Sequence, residues 1–406
     1  MKKFFFLFFL SSLLFAQNPG LEKVLLQIQD TYSVAGMSVL VIKGDDIVFS
    51  QGFGHRDIER KLEVNALTKY RVASVSKIVT ATALMQLYEK GLFKMEDEVS
   101  PYLGFTLINP HFPEQKITFA SLLSHTSSLR DASTYSDFLQ ATLKETPTPH
   151  VQEILTTKGK YYAQDIFSAN HGPKEQYFQY ANINFGVAAC LVEKLSHEFF
   201  HEYCKKYIFL PLGLNCSFQV QDIPDINDIA VLYRKGKDGW VAQADKYQGI
   251  RPPKRDLSQY QYGSNAFLFA PQGGLRASAE DLAKILILHK NGGIYKNIRI
   301  LQENTAKLMR KSLWNFDGSN GDTENNIFQN YGLSLHTTQD LLPGQTLTGH
   351  PGEAYGLLSG LYFSTTGNYG IIFITNGAVW GKGNHSGWYN LEEDVFKACM
   401  EKEIVQ

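Results

Sequence analysis

Ser74 and Lys77 stand three residues apart in the run Ala73-Ser74-Val75-Ser76-Lys77. On a helix that spacing puts a hydroxyl and an amine on one face, one turn apart. A serine hydroxyl becomes a useful nucleophile when a base takes its proton, and lysine can be that base once burial disfavours its charged form. The residues that follow, Ile78, Val79, Ala81, Leu84, Met85 and Leu87, are apolar around most of the helix. The helix should therefore be buried, and a lysine on it is costly unless used or paired. At the helix start the Ser74 N–H, near the positive dipole end, can receive an oxyanion formed during acylation. Three letters recur by chance in a long chain, so the buried helix, more than the pattern, makes this pair a candidate for nucleophilic catalysis.

Other residues capable of chemistry form weaker patterns. His197 and His201 are four apart on an expected helix, but Phe199 and Phe200 lie between them and no HExxH glutamate accompanies them. Neither a metal nor another cofactor is expected. Cys190, Cys204, Cys216 and Cys399 include no CxxC pair. Cys204 with Cys216 is the first pair to test for a disulfide, with buried thiols as the alternative.

The elements that must hold these residues can be read from periodicity. Residues 37–43 and 47–51 flank Gly44-Asp45-Asp46 as a hairpin; residues 357–364 and 369–375 flank Thr366-Gly367-Asn368. A closing helix over 391–400 is capped by Asn390 with Glu393 three residues on. Between these ends the pattern is helical: 74–90 stopped by Gly91, 184–195, 197–208, and 279–290 stopped by Asn291-Gly292-Gly293. The expected fold is α/β of the α+β kind. An antiparallel sheet built from N- and C-terminal strands (about 36–60 and 330–401) is flanked by helices and carries a large, mostly helical insertion (about 74–300). The insertion and sheet should meet at a cleft, within a single domain over 17–406.

Thirty-nine Lys plus Arg balance 40 Asp plus Glu, a formal charge of -1. That excludes a basic field for nucleic acid or an anionic membrane and favours a small or peptide substrate. Met1-Lys2-Lys3, the apolar run Phe4 to Leu14 and the small residue Ala16 read as a signal peptide cleaved near Ala16. The expected location is periplasmic or secreted. No second stretch approaches the roughly 20 apolar residues of a membrane span.

In order along the chain, several further landmarks join the Ser74 helix. They are Gly52-Phe53-Gly54, the segment Leu122 to Leu129, Tyr180-Ala181-Asn182, Pro211-Leu212-Gly213-Leu214, Gly273-Gly274-Leu275 and Gly349-His350-Pro351-Gly352. Together they resemble the serine β-lactamase and penicillin-binding-protein superfamily, in its branch of AmpC-type enzymes, D-aminopeptidases and esterases, over roughly residues 36–400. The resemblance implies a β-lactamase/transpeptidase-like fold with Ser74, Lys77 and Tyr180 catalytic. Tyr180 would shuttle a proton between nucleophile and leaving group, and Asn182 would bond the acyl part of the substrate. Read without the family, Tyr180 and Asn182 are a loop pair before a helix, where an Asn can simply cap. Tyr295-Lys296-Asn297 repeats the YxN letters and reads as a turn.

The third motif of the superfamily maps to His350-Pro351-Gly352 in preference to His385-Ser386-Gly387, because strand-like segments follow it directly. Gly352 would let substrate approach the backbone, and the Glu353 N–H would join that of Ser74 in an oxyanion hole. A protonated His350 could attract an anion. His125 invites a Ser-His triad, but Lys77 already supplies a base, so a structural role is expected. Tyr-rich residues 247–262 line the cleft or merely cover the insertion. Pro351 brings no side-chain donor for a substrate carboxylate, which favours an ester, amide or D-amino-acid peptide, cell-wall fragments included, over a β-lactamase or D-Ala-D-Ala carboxypeptidase. The reading from another class is a catalytically silent penicillin-binding-like protein.

Overall fold

The computed structural model describes residues 18–401, so the signal-peptide reading lies outside the described residues. Helix α1 (Pro19–Thr31) precedes a hairpin of β1 (Gly36–Lys43) and β2 (Asp46–Asp57), with the short β3 (Leu62–Glu63) at its edge. The chain returns at its far end through β4 (His336–Thr338), β5 (Leu347–Ala354), β6 (Leu357–Ser364), β7 (Tyr369–Gly377) and the last helix. The sheet order is β4-β5-β6-β7-β1-β2-β3, with antiparallel pairing throughout. Its seam joins the two ends of the chain: Val39 faces Phe373 and Val41 faces Ile371.

The central strands are buried on both faces, which explains their nearly continuous apolar runs. Side chains alternate between two cores. Met37, Val39, Val41, Ile371 and Phe373 face a core shared with α1 and the last helix. Leu40, Ile42, Ile372 and Ile374 face the larger core shared with the helical region. In that region lie α2 (Ser76–Glu89), α3 (Ile183–Ser196) and α4 (Ala279–Lys290), followed in the chain by the last helix, α5 (Asn390–Glu401). Helix α2 is buried nearly all round, its polar Ser76, Lys77, Thr80 and Thr82 included. Among the described residues no helix is long and apolar enough to cross a membrane.

Several local expectations change. Ser74 lies on a separate 3-10 turn, Ala73–Val75, that precedes α2. The helix expected over 197–208 is broken. His197 adopts φ +56 and ends α3, the Glu193 carboxylate accepts the Phe200 N–H, and Phe200–Cys204 then runs into a wider turn at Lys205–Phe209. His197 and His201 therefore share no helix face. Cys204 and Cys216 are unbonded: all four cysteines are buried free thiols. The Asn390–Glu393 capping box does not form, because Glu393 instead accepts N–H groups from Asn384, His385 and Ser386 and so ties down the glycine-rich loop before α5. Lys296, at φ +51, forms the turn between Ile294–Tyr295 and Ile298–Arg299.

Candidate active site

Strand β5 packs directly against the nucleophile turn. The Ser359 hydroxyl on β6 donates to the Val72 carbonyl at 3.0 Å. A Cβ at Gly352 would lie 2.8 Å from that carbonyl oxygen and 3.2 Å from the Ala73 methyl. Glycine is thus required for strand and turn to meet, a tighter constraint than the substrate access inferred from sequence. Ala73 itself holds φ +46, an uncommon conformation for a non-glycine residue, immediately before the nucleophile.

Ser74 is partly exposed and Lys77 is fully buried. The Lys77 Nζ lies 2.9 Å from Ser74 Oγ, 2.8 Å from Asn182 Oδ1 and 2.9 Å from the Gln272 carbonyl oxygen. Burial pushes its pKa down to about 7, against a smaller opposing effect of the Asp131 charge. A neutral amine has two hydrogens and one lone pair. The two carbonyl-type oxygens can accept only hydrogens, so the lone pair is left for the Ser74 hydroxyl.

Tyr180 lies beside this pair, its ring 4.8 Å from Lys77 Nζ and stacked between His125, at 4.4 Å, and Phe328, at 5.3 Å. Desolvation raises its hydroxyl well above the usual tyrosine pKa, opposed by a hydrogen bond with Ser74. Tyr180 therefore stays protonated at pH values where Lys77 is largely neutral, which makes Lys77 the base of the two. Asn182 does not cap α3 with its side chain. Its Nδ2 donates to Asp131 at 2.8 Å while its Oδ1 receives Lys77. Capping falls to Asp131, whose carboxylate accepts the N–H groups of Asn182 and Ile183 at 3.0 and 2.9 Å. Asp131 was not singled out from sequence, although its place two residues after the Leu122 to Leu129 landmark is a usable signal.

His125 holds the Tyr180 loop: its Nδ1 accepts the Ala181 N–H at 3.1 Å. His350 is fully buried, with Nε2 2.8 Å from the Tyr331 hydroxyl. Burial first, then the charges of Lys77 and His336, hold it well below the usual histidine range. The same burial disfavours the protonated, anion-attracting His350 envisaged from sequence. Tyr247 and Tyr260 are also spent elsewhere, donating to Asp245 and Glu193.

The cleft, of about 200 Å³, is lined by Ser74, Tyr180, Asn182, Pro351, Gly352 and Glu353, together with Glu324, Phe328, Tyr389 and Glu392. Those last four were missed in the sequence: Glu324 and Phe328 lie far from every motif, and Tyr389 and Glu392 lie beside patterns read as a loop and a helix cap. Larger hollows, about 490 Å³ beside Glu145 and His150 and about 510 Å³ beside His201 and Arg255, hold neither Ser74 nor its partners. Size alone does not mark the site.

A family model described as Beta-lactamase matches residues 21–395. Penicillin-binding protein 4* of Bacillus subtilis (strain 168) is 30% identical over 178 residues, 44% of this chain and 36% of that protein. Protein flp of Staphylococcus aureus (strain MRSA252) is 22% identical over 352 residues, 84% of this chain and 60% of that protein. The chain thus spans less than two thirds of the length of these relatives. Among solved structures, the D-amino acid amidase from Ochrobactrum anthropi SV3, complexed with L-phenylalanine amide, superposes with a TM-score of 0.68 at 18% identity, covering 94% of this chain and 97% of that one. The octameric penicillin-binding protein homologue from Pyrococcus abyssi gives 0.67 at 23%, covering 94% and 76%. EstCE1, a hydrolase with promiscuous acyltransferase activity, gives 0.65 at 20%, covering 94% and 97%. The family match begins in α1, ends in α5 and carries the Ser74–Lys77 turn within it, so the chain belongs to the Beta-lactamase family.

Proposed function

We propose that this protein is an exported serine hydrolase that forms an acyl-enzyme on Ser74 and acts on an ester, an amide or a D-amino-acid peptide, cell-wall fragments included. The carrying observation is the Lys77 amine, with two carbonyl-type oxygens for its hydrogens and Ser74 Oγ opposite its lone pair. Lys77 takes the Ser74 proton as Oγ attacks the substrate carbonyl. The N–H groups of Ser74 and Glu353 receive the oxyanion, with Gly352 keeping strand and turn in contact. Tyr180, held protonated, passes the proton to the leaving group, and water then resolves the acyl-enzyme. Asn182 fixes the lysine and presents its amide to the acyl part. The unit performing this chemistry is the 17–406 segment, whose residues as far apart as Ser74, Tyr180 and Glu392 line one cleft. The D-amino acid amidase among the structural neighbours supports an amide substrate.

A fluorophosphonate probe tests the reading. Labelling of Ser74, located by peptide mass spectrometry and abolished in Ser74→Ala, is expected. A folded protein that takes no label would overturn it in favour of a catalytically silent binding protein. Export is tested separately by sequencing the mature N-terminus, with cleavage near Ala16 expected.

A further inference from the structure

Three carboxylates, Glu324, Glu353 and Glu392, line the cleft beside Ser74, and no lysine or arginine is among its lining residues. Glu392 is the unusual one. It is 3% exposed, makes no ion pair among the described residues, and accepts a single long bond, from the Tyr389 N–H at 3.3 Å, on Oε2. Its other oxygen accepts none among the described residues.

The other buried carboxylates are well partnered. Asp245 has two arginines, Asp281 has Lys69, and Glu193 accepts from Tyr260, Phe200 and Gly263. A buried carboxylate with no counter-ion and a single long donor contact is expensive, and here it faces the substrate space. Burial, with the nearby charges of Glu353 and Glu393, pushes Glu392 up to about 8. Glu353 extends the acidic wall on β5, its carboxylate accepting the Tyr389 hydroxyl at 2.7 Å.

We propose that the cleft binds acyl substrates carrying a free ammonium group, with Glu392 as its principal partner and Glu353 and Glu324 supplying field. The substrate class is an α-aminoacyl amide or ester, or the amino-terminal residue of a peptide. The cleft, about 200 Å³, is below the roughly 300–1,000 Å³ typical of drug-sized ligands, which suits one amino-acid unit. An approaching ammonium supplies the missing counter-charge and favours the ionised form of Glu392, whereas a substrate carboxylate gains no cationic partner from the cleft lining. This inference rests on the hydrolase reading and narrows it to a substrate class.

The test compares alanine and phenylalanine amides in three forms: free amine, N-acetylated, and the desamino acid amide that lacks the nitrogen. At neutral pH the free amine is expected to exceed the desamino form at least tenfold in kcat/KM. Glu392→Gln should bring that ratio toward unity, chiefly through KM, and Glu353→Gln should lower it in the same direction if the first variant does not fold. Equal or better turnover of desamino amides by the unaltered protein, or a ratio unmoved by either folded variant, would overturn the proposal. Calorimetric binding of the same amides to Ser74→Ala reads the preference without chemistry. Fluorophosphonate labelling with no amine preference defeats this inference alone, whereas amine-selective binding without labelling defeats the hydrolase reading alone.

Discussion

At the residue scale the site is set by where one proton resides. Lys77 is active as the neutral amine, and its pKa is lowered to about 7 by burial. Since the deprotonated form is the base, kcat/KM for an uncharged ester should rise with pH through about 7 and then level off. A stopped assay across pH 5.5–9 checks the sign, and a flat profile would exclude Lys77 as the titrating base. Tyr180 keeps its proton over the same range. Its proposed task is transfer to the leaving group, so Tyr180→Phe should lower kcat by about 10²–10⁴ for an amide. The loss should be smaller for a p-nitrophenyl ester, whose leaving group needs no proton, and this difference separates proton transfer from simple loss of packing.

At the element scale, geometry depends on the contact between β5 and the nucleophile turn. Adding a methyl at Gly352 puts Cβ 2.8 Å from the Val72 oxygen and 2.3 Å from Ser359 Oγ in the present backbone positions. Either the strand or the turn must move. Gly352→Ala should destabilise the fold by about 1–3 kcal/mol, as overpacking does, and should slow Ser74 labelling beyond what the lowered Tm explains. Labelling measured well below Tm separates the effects. The far wall is positioned differently, since exposed Asp131 holds the start of α3 from another segment and brings Asn182 to Lys77. Helix and base are thereby fastened by one carboxylate.

At the scale of the whole molecule, a charged knot joins the segments that carry the site. Asp245 receives Arg71, just before the nucleophile turn, and Arg276, each with a 2.8 Å contact to Oδ1. The short strands Tyr70–Arg71 and Arg276–Ala277 pair beside it. Asp245→Asn leaves two arginines without their charge partner and should cost about 3–5 kcal/mol, measured by denaturant unfolding. The arginine charges hold the Asp245 carboxyl far below its usual range despite burial. Because the folded pKa is depressed, its stabilisation is complete above the unfolded value of about 3.9 and declines as pH falls below it. The unaltered protein should therefore lose stability more steeply below about pH 4 than Asp245→Asn does. Parallel acid melts of the two would show otherwise.

What the sequence determined by itself was whatever depends on neighbours within a turn or along a strand. The three-residue spacing of Ser74 and Lys77, the all-apolar face of α2 and the apolar runs of β1, β6 and β7 are local patterns, and the sheet joining both chain ends follows from them. Order along the chain then linked Tyr180, Asn182 and His350 to the serine by family resemblance. Tertiary structure alone decided what depends on distant segments meeting. Asp131 caps a helix that begins at residue 183, Glu393 serves a loop in preference to its own helix start, and the His350 pKa is held down because packing removes it from water. By position alone Glu392 is one more acidic residue of a first helical turn, where it needs no explanation. Its burial at the cleft comes from α5 docking against the sheet that carries Gly352 and Glu353, and desolvation, which no spacing encodes, is what leaves it in need of a counter-charge.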